Sequence, residues 1–237
     1  MKIIETKNYQ ETSLVAADIL AEQVRKKENS VLGLATGSSP EGMYSELIKM
    51  YKNGEVDFSK VISVNLDEYF GLGPDNNQSY RYFMNKHLFD HVNIRKEYTY
   101  VPDGLTKNPE QECKAYDQLI EDLGGIDLQV LGMGLNGHIG FNEPADYFTA
   151  GTHLVCLEES TIEANSRFFA SKEEVPTKAL SMGLKSILSA KKILLIVHGK
   201  AKQEILMKAI HGPVTPQLPA SILQLHPNVT VVCSFNE

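Results

Sequence analysis

Five short aliphatic runs punctuate the chain: Val31–Leu34, Val61–Val64, Leu128–Leu131, Ile193–Val197 and Val229–Cys233. None is long enough, or has the right period, for a helix, so each reads as a buried strand. Between them lie longer segments with apolar residues at helical intervals. Asn8 caps a helix predicted from Tyr9 to Lys27, with Leu14, Ala17, Leu20, Ala21 and Val24 along one face. Pro40 opens a second helix carrying Met43, Leu47 and Met50, and Ser79 opens a third that runs to Phe89. Asn108-Pro109 starts a fourth, closed near Leu123 by Gly124 and Gly125. Ile3–Ile4, Tyr98–Val101 and His153–Leu157 read as further strands, and Thr161–Ala170, Lys178–Leu188 and Ala201–Ile210 as further helices. Strands alternating with helices of this length specify βαβ units. The fold class is α/β: a single doubly wound, mostly parallel sheet with helices on both faces. No repeat, linker or composition break divides residues 1–237, so one domain is expected.

The stretch that concentrates chemistry is DLQVLGMGLNGHIGFNEP, Asp127 to Pro144. A strand ends in a loop broken by Gly132, Gly134, Gly137 and Gly140, which carries Asn136, His138, Asn142 and Glu143. GMGLNG also spells G-x-G-x-x-G, but a dinucleotide site requires a helix to begin inside that motif. Gly140 and Pro144 stand where that helix would run, and both oppose it. A polar catalytic loop remains, at the strand end where open α/β sheets keep their sites.

Composition narrows the classes. Thirty acidic against 23 basic residues give a net charge of −7, which argues against nucleic acid and requires any anionic substrate to be met by a local positive site. The three cysteines are scattered and lack C-x-x-C spacing, which points to a reducing compartment and no stapling. No signal-like apolar segment and no membrane-length run is present, so a cytoplasmic protein with no membrane partner is expected.

Two other strand ends join the central loop on the same edge. TGSSP, Thr36 to Pro40, lies between a strand and a helix N-terminus, where small residues and free amides suit a phosphate; a plain capped turn is the equal alternative. Asp67 and Glu68 follow the third strand, and only one of two adjacent side chains is expected to enter a cleft. His138 and Glu143, five residues apart in a glycine-rich loop, can fold onto one another and fix the imidazole tautomer. Taken alone, His138 is more often structural and Glu143 a turn cap. Arg167 and either Lys200 or Lys202 are candidate phosphate cations, for which surface solvation is the ordinary reading. No metal-ligand spacing and no G-x-S-x-G elbow appear.

LATGSSP, SVNLDEYFGL, GMGLNGHIGFNEP, EANSRFF and PASILQLH together resemble the glucosamine-6-phosphate deaminase (glucosamine-6-phosphate isomerase) family, in order from about Ile3 to Cys233. The resemblance implies a modified doubly wound fold and conversion of glucosamine 6-phosphate and water to fructose 6-phosphate and ammonia, without metal or organic cofactor. Asp67 would take the proton from the amine-bearing carbon, and His138 would assist ring opening with Glu143 supporting its charge. Thr36, Gly37, Ser38 and Ser39 would cradle the phosphate, with Arg167 and Lys202 as its cations. Asp67 is expected to titrate above a free aspartate, raised by burial and by Glu143.

Two departures follow. Asn136 stands where many family members carry Asp, so Glu143 must bear more of the support for His138. Asp146 to Leu157 contains no Lys or Arg for an anionic activator, so an unregulated monomer or weak homo-oligomer is expected, with a mobile lid around 160–175. The rivals are a 6-phosphogluconolactonase-like hydrolase, which lacks FNEP and acts on no amine, and a non-catalytic sugar-phosphate sensor. The sensor would need a DNA-binding segment, and none is left over.

Overall fold

The computed structural model describes residues 1–166, 169, 171 and 174–236; Arg167 lies outside the described residues. Seven strands form a central, all-parallel sheet in the order β1 (Lys2–Glu5), β10 (Val229–Ser234), β9 (Ile193–His198), β6 (Leu128–Gly132), β2 (Val31–Leu34), β3 (Ile62–Asn65) and β5 (Thr99–Tyr100). From β2 the chain moves outward through β3 to β5, then returns to β6 on the other side of β2. The direction of winding therefore reverses between β2 and β6. A crevice opens beyond the carboxyl ends of strands at such a switch, and the loops bearing TGSSP and GLNGH rise from those two strands.

The core explains the strand assignments. Val31, Leu32, Leu34, Val130, Leu131 and the run from Ile193 to Val197 are all buried, as expected for strands covered on both faces. Helix α1 (Tyr9–Lys26) turns Ala16, Ala17, Leu20, Ala21 and Val24 inward, and α2 (Ser38–Lys52) turns in Met43, Tyr44 and Leu47. Helix α2 starts two residues earlier than Pro40 suggested; proline sits in the first turn, where no helical bond needs its missing N–H. The remaining helices are α3 (Tyr80–His87), α4 (Pro109–Asp122), α5 (Glu159–Ser166), α6 (Leu184–Leu188) and α7 (Gln203–His211).

Beside the central sheet lies a second one that the single-sheet reading did not contain. It is antiparallel, in the order β4 (Asp67–Tyr69), β8 (Lys178–Ser181) and β7 (His153–Cys156). The helix predicted from Lys178 to Leu188 is thus corrected: its first residues are β8, and only Leu184–Leu188 is helical. Gly183 separates the two, and a side chain there would meet the carbonyl oxygens of Ala150 and Gly151 at 2.2 Å.

At the opposite end of the sheet, buried Asp127 accepts hydrogen bonds from Lys27 Nζ (2.6 Å), Lys191 Nζ (2.7 Å) and the Val31 amide (2.9 Å). Burial raises its proton affinity, but these donors outweigh burial and hold the carboxyl below its ordinary value. Asp127→Ala leaves a strand amide and two lysines without their acceptor. A loss on the order of 2 kcal/mol is expected in denaturant unfolding, with turnover at 25 °C unchanged. An unchanged midpoint would show that the clip contributes nothing.

Candidate active site

The four loops at the carboxyl edge are held by different devices. At TGSSP, Gly37 takes φ 84°, a conformation suited to glycine, and turns the chain into α2. Asn8, Ser79 and Asn108 each cap their helix by accepting an amide, whereas no side chain caps α2. Its first amides are therefore without a side-chain acceptor, as are those of α6 and α7. Thr36 and Gly37 are half-buried and Ser38 is exposed. Ser39 is buried, with its side chain facing Gly132 at the end of β6.

Asp67 and Glu68 part company as adjacent strand residues must. Glu68 turns towards α3 and accepts the amides of Tyr69, Tyr80 and Arg81 at 2.8–3.0 Å. Asp67 turns towards the central loop: a Cβ placed on Gly140 would lie 3.6 Å from Asp67 Oδ2. Asp67 is 5% exposed, and among the described residues no hydrogen bond reaches its carboxyl. Burial, reinforced by the charge of Glu68, pushes it up to about 8. The neighbour responsible is Glu68 and not Glu143, which corrects that part of the expectation. Burial also pushes Glu68 up to about 7, against the pull of its three amides.

Around Asp67 stands an aromatic wall. The Tyr69 ring lies 4.8 Å from Tyr80, 5.8 Å from Phe141 and 5.8 Å from Phe169, and Tyr80 stacks on Phe141 at 5.9 Å. These rings belong to a second apolar cluster, apart from the main core, with Tyr69 on the strand that carries Asp67 and Phe141 beside Gly140 in the loop.

In the central loop, the His138 ring lies against Gly134, where any Cβ would come within 2.2 Å of the imidazole. His138 Nδ1 is 3.3 Å from Glu143 Oε2, so the two side chains approach as expected, but the buried nitrogen makes no aligned hydrogen bond there. Asn136 donates to the same Glu143 oxygen at 2.7 Å and accepts the His138 amide at 3.2 Å. It orients the loop backbone and Glu143, and among the described residues it makes no hydrogen bond to the imidazole. Thr161, on α5, donates to the other oxygen of Glu143. Burial alone would raise Glu143, but the contacts with His138, Thr161 and Asn136 prevail and keep it below the ordinary glutamate value.

Two residues to which the sequence reading gave no role, Asn142 and Ser181, support the loop. Asn142 clamps the loop by donating to the carbonyls of Ile139 and Met182, both at 2.9 Å. Ser181, paired with Asp67 across β4 and β8, accepts the Phe141 amide at 3.0 Å. Lys202 ends a 3₁₀ turn after β9 and is half-buried, whereas Lys200 in the same turn is exposed. β9 lies two strands from β2, about 10 Å across the sheet.

Residues 6–232 match the family described as glucosamine-6-phosphate isomerases/6-phosphogluconolactonase. The chain belongs to that family. A relative from Lachnoclostridium phytofermentans named glucosamine-6-phosphate deaminase is 60% identical over 99% of this chain and 100% of its own. A protein of the same name from Clostridium perfringens is 56% identical over 98% of this chain and 96% of its own. A solved structure described as a monomeric glucosamine-6-phosphate deaminase superposes with a TM-score of 0.97 at 45% identity, covering 99% of this chain and 97% of that one. Among the described residues no helix is long and apolar enough to cross a membrane.

Proposed function

We propose that the chain is a glucosamine-6-phosphate deaminase, converting glucosamine 6-phosphate and water to fructose 6-phosphate and ammonia. The observation that carries this is the approach of Asp67 to Gly140 in the loop that holds the His138–Glu143 pair. Two acid–base groups border one loop, as the reaction requires. His138 moves a proton between the anomeric hydroxyl and the ring oxygen, which opens the ring. Asp67 then removes the proton from carbon 2 of the open aldehyde and returns a proton to carbon 1. The amine at carbon 2 becomes an imine, and water replaces it with a ketone oxygen, releasing ammonia. A base that titrates near 8 accepts such a proton far more readily than a free aspartate.

The phosphate is assigned to the uncapped start of α2 (Thr36, Gly37, Ser38, Ser39) with Lys202 and Arg167. Its binding energy holds the flexible open chain over Asp67. Thr161 links α5 to Glu143 and Phe169 lies against Tyr69, so these two residues border the site. A monomer or weak homo-oligomer fits the solved relative described as monomeric, and a cytoplasmic protein without an anionic activator is part of the same proposal.

The discriminating assay is ammonia release. Glucosamine 6-phosphate should yield ammonia and fructose 6-phosphate in equal amounts, with hyperbolic kinetics and no response to N-acetylglucosamine 6-phosphate. Hydrolysis of 6-phosphogluconolactone without ammonia release from the amino sugar would overturn the proposal. Because Asp67 must be ionised to act, kcat/KM should rise with pH towards a plateau above about 8.

A further inference from the structure

We propose that Tyr9, the first residue of α1, is a positioning residue that aims the α2 amides at the substrate phosphate. The inference rests on the phosphate assignment above and adds a residue that touches neither substrate nor catalytic groups. The Tyr9 hydroxyl donates to the Ser38 carbonyl at 2.7 Å and accepts the Gly42 amide at 2.7 Å. In an undisturbed helix those two groups would bond each other, since they stand four residues apart. The hydroxyl is thus inserted into the first turn of α2, and it uses both its donor and its acceptor to stay there.

The consequence follows from peptide geometry. The Ser38 carbonyl and the Ser39 amide belong to one planar trans unit and point in opposite directions. Holding the carbonyl towards Tyr9 fixes the direction of the Ser39 N–H, one of the uncapped amides at the head of α2. Close approach is built into the sequence: a Cβ on Gly42 would meet Ser13 Oγ at 2.2 Å and Tyr9 Cε1 at 3.0 Å. The Tyr9 ring in turn packs 4.5 Å from the ring of His198, the last residue of β9, three residues before the turn reaches Ala201 and then Lys202. One side chain therefore braces the amide half of the anion site and the strand that delivers its lysine.

Tyr9→Phe keeps the ring and removes both hydrogen bonds. In the full-length enzyme, KM for glucosamine 6-phosphate should rise about five- to tenfold while kcat stays within about twofold, the effect of losing roughly 1 kcal/mol of preorganisation. The dissociation constant of inorganic phosphate for the resting enzyme, measured by calorimetry, should rise by the same factor. A role confined to packing α1 on α2 would lower the melting temperature and leave both constants in place; that result overturns the proposal, as does a fall in kcat at unchanged KM. A wild-type enzyme with no measurable phosphate affinity overturns it too. If the wild type binds phosphate but releases no ammonia, the deaminase assignment fails, and the phosphate comparison still decides the part played by Tyr9.

Discussion

Asp67→Asn should lose at least about three orders of magnitude in kcat and, at neutral pH and above, gain resistance to unfolding. The first half follows from the base: asparagine cannot accept the carbon 2 proton, and among the described residues no other carboxyl faces Gly140 so closely. The second half follows from the same burial that makes the base effective. Asp67 has an ordinary value of 3.8 and is pushed up to about 8 by burial and by Glu68. Between those two pH values the folded chain holds a proton that the unfolded chain has released, so stability falls as pH rises across the window. Asparagine does not titrate. Its advantage should be absent near pH 4 and grow to on the order of a few kcal/mol by pH 8. Melting temperatures at pH 5 and pH 8 read this directly. A variant less stable than wild type at pH 8, or one that keeps its turnover, would contradict the assignment of Asp67.

Glu143→Gln should lower kcat about a hundredfold, and Asn136→Ala less than about tenfold. The carboxylate of Glu143 faces His138, Asn136 and Thr161, and the amide and hydroxyl both donate to it. Glutamine offers one acceptor oxygen, which Asn136 can keep, and an NH2 that the Thr161 hydroxyl can rotate to accept, so what it removes is the negative charge facing His138. Asn136→Ala removes a single donor to Glu143 and one acceptor for the His138 amide; the ion pair survives. An aspartate at 136 would set a second carboxylate 2.7 Å from Glu143, where one of the two must take up a proton. Equal losses in the Gln and Ala variants would remove the distinction between charge support and backbone support.

What could be read in advance divides along local and long-range lines. The aliphatic runs became strands within a residue or two, because a buried parallel strand advertises itself locally. The central loop was legible because Gly140 and Pro144 oppose a helix, and the glycines at 134, 137 and 140 all prove necessary: a Cβ on Gly134 would meet the imidazole at 2.2 Å, one on Gly137 would meet Leu218 at 2.1 Å, and Gly137 and Gly140 take φ of 83° and 57°. The second sheet was not legible. KALSMGLKSIL places Ala179, Leu180, Leu184, Ile187 and Leu188 at intervals a helix would also use, and only pairing with Asp67–Tyr69 and His153–Cys156, remote in sequence, makes its first half a strand. The source of the Asp67 shift was misassigned for a different reason: adjacent strand residues point to opposite sides, which set Glu68 aside, yet its charge still acts on Asp67. Tyr9 was visible as a helix start, but its hydroxyl partners lie 29 and 33 residues away.

Proton exchange at carbon 2 tests the account most directly. In deuterated water, wild-type enzyme should exchange the carbon 2 hydrogen of glucosamine 6-phosphate and deliver solvent deuterium to carbon 1 of the product. Asp67→Asn should bind the sugar phosphate with near wild-type affinity and leave the carbon 2 hydrogen in place by NMR. Exchange at the wild-type rate in that variant would show that some other group is the base.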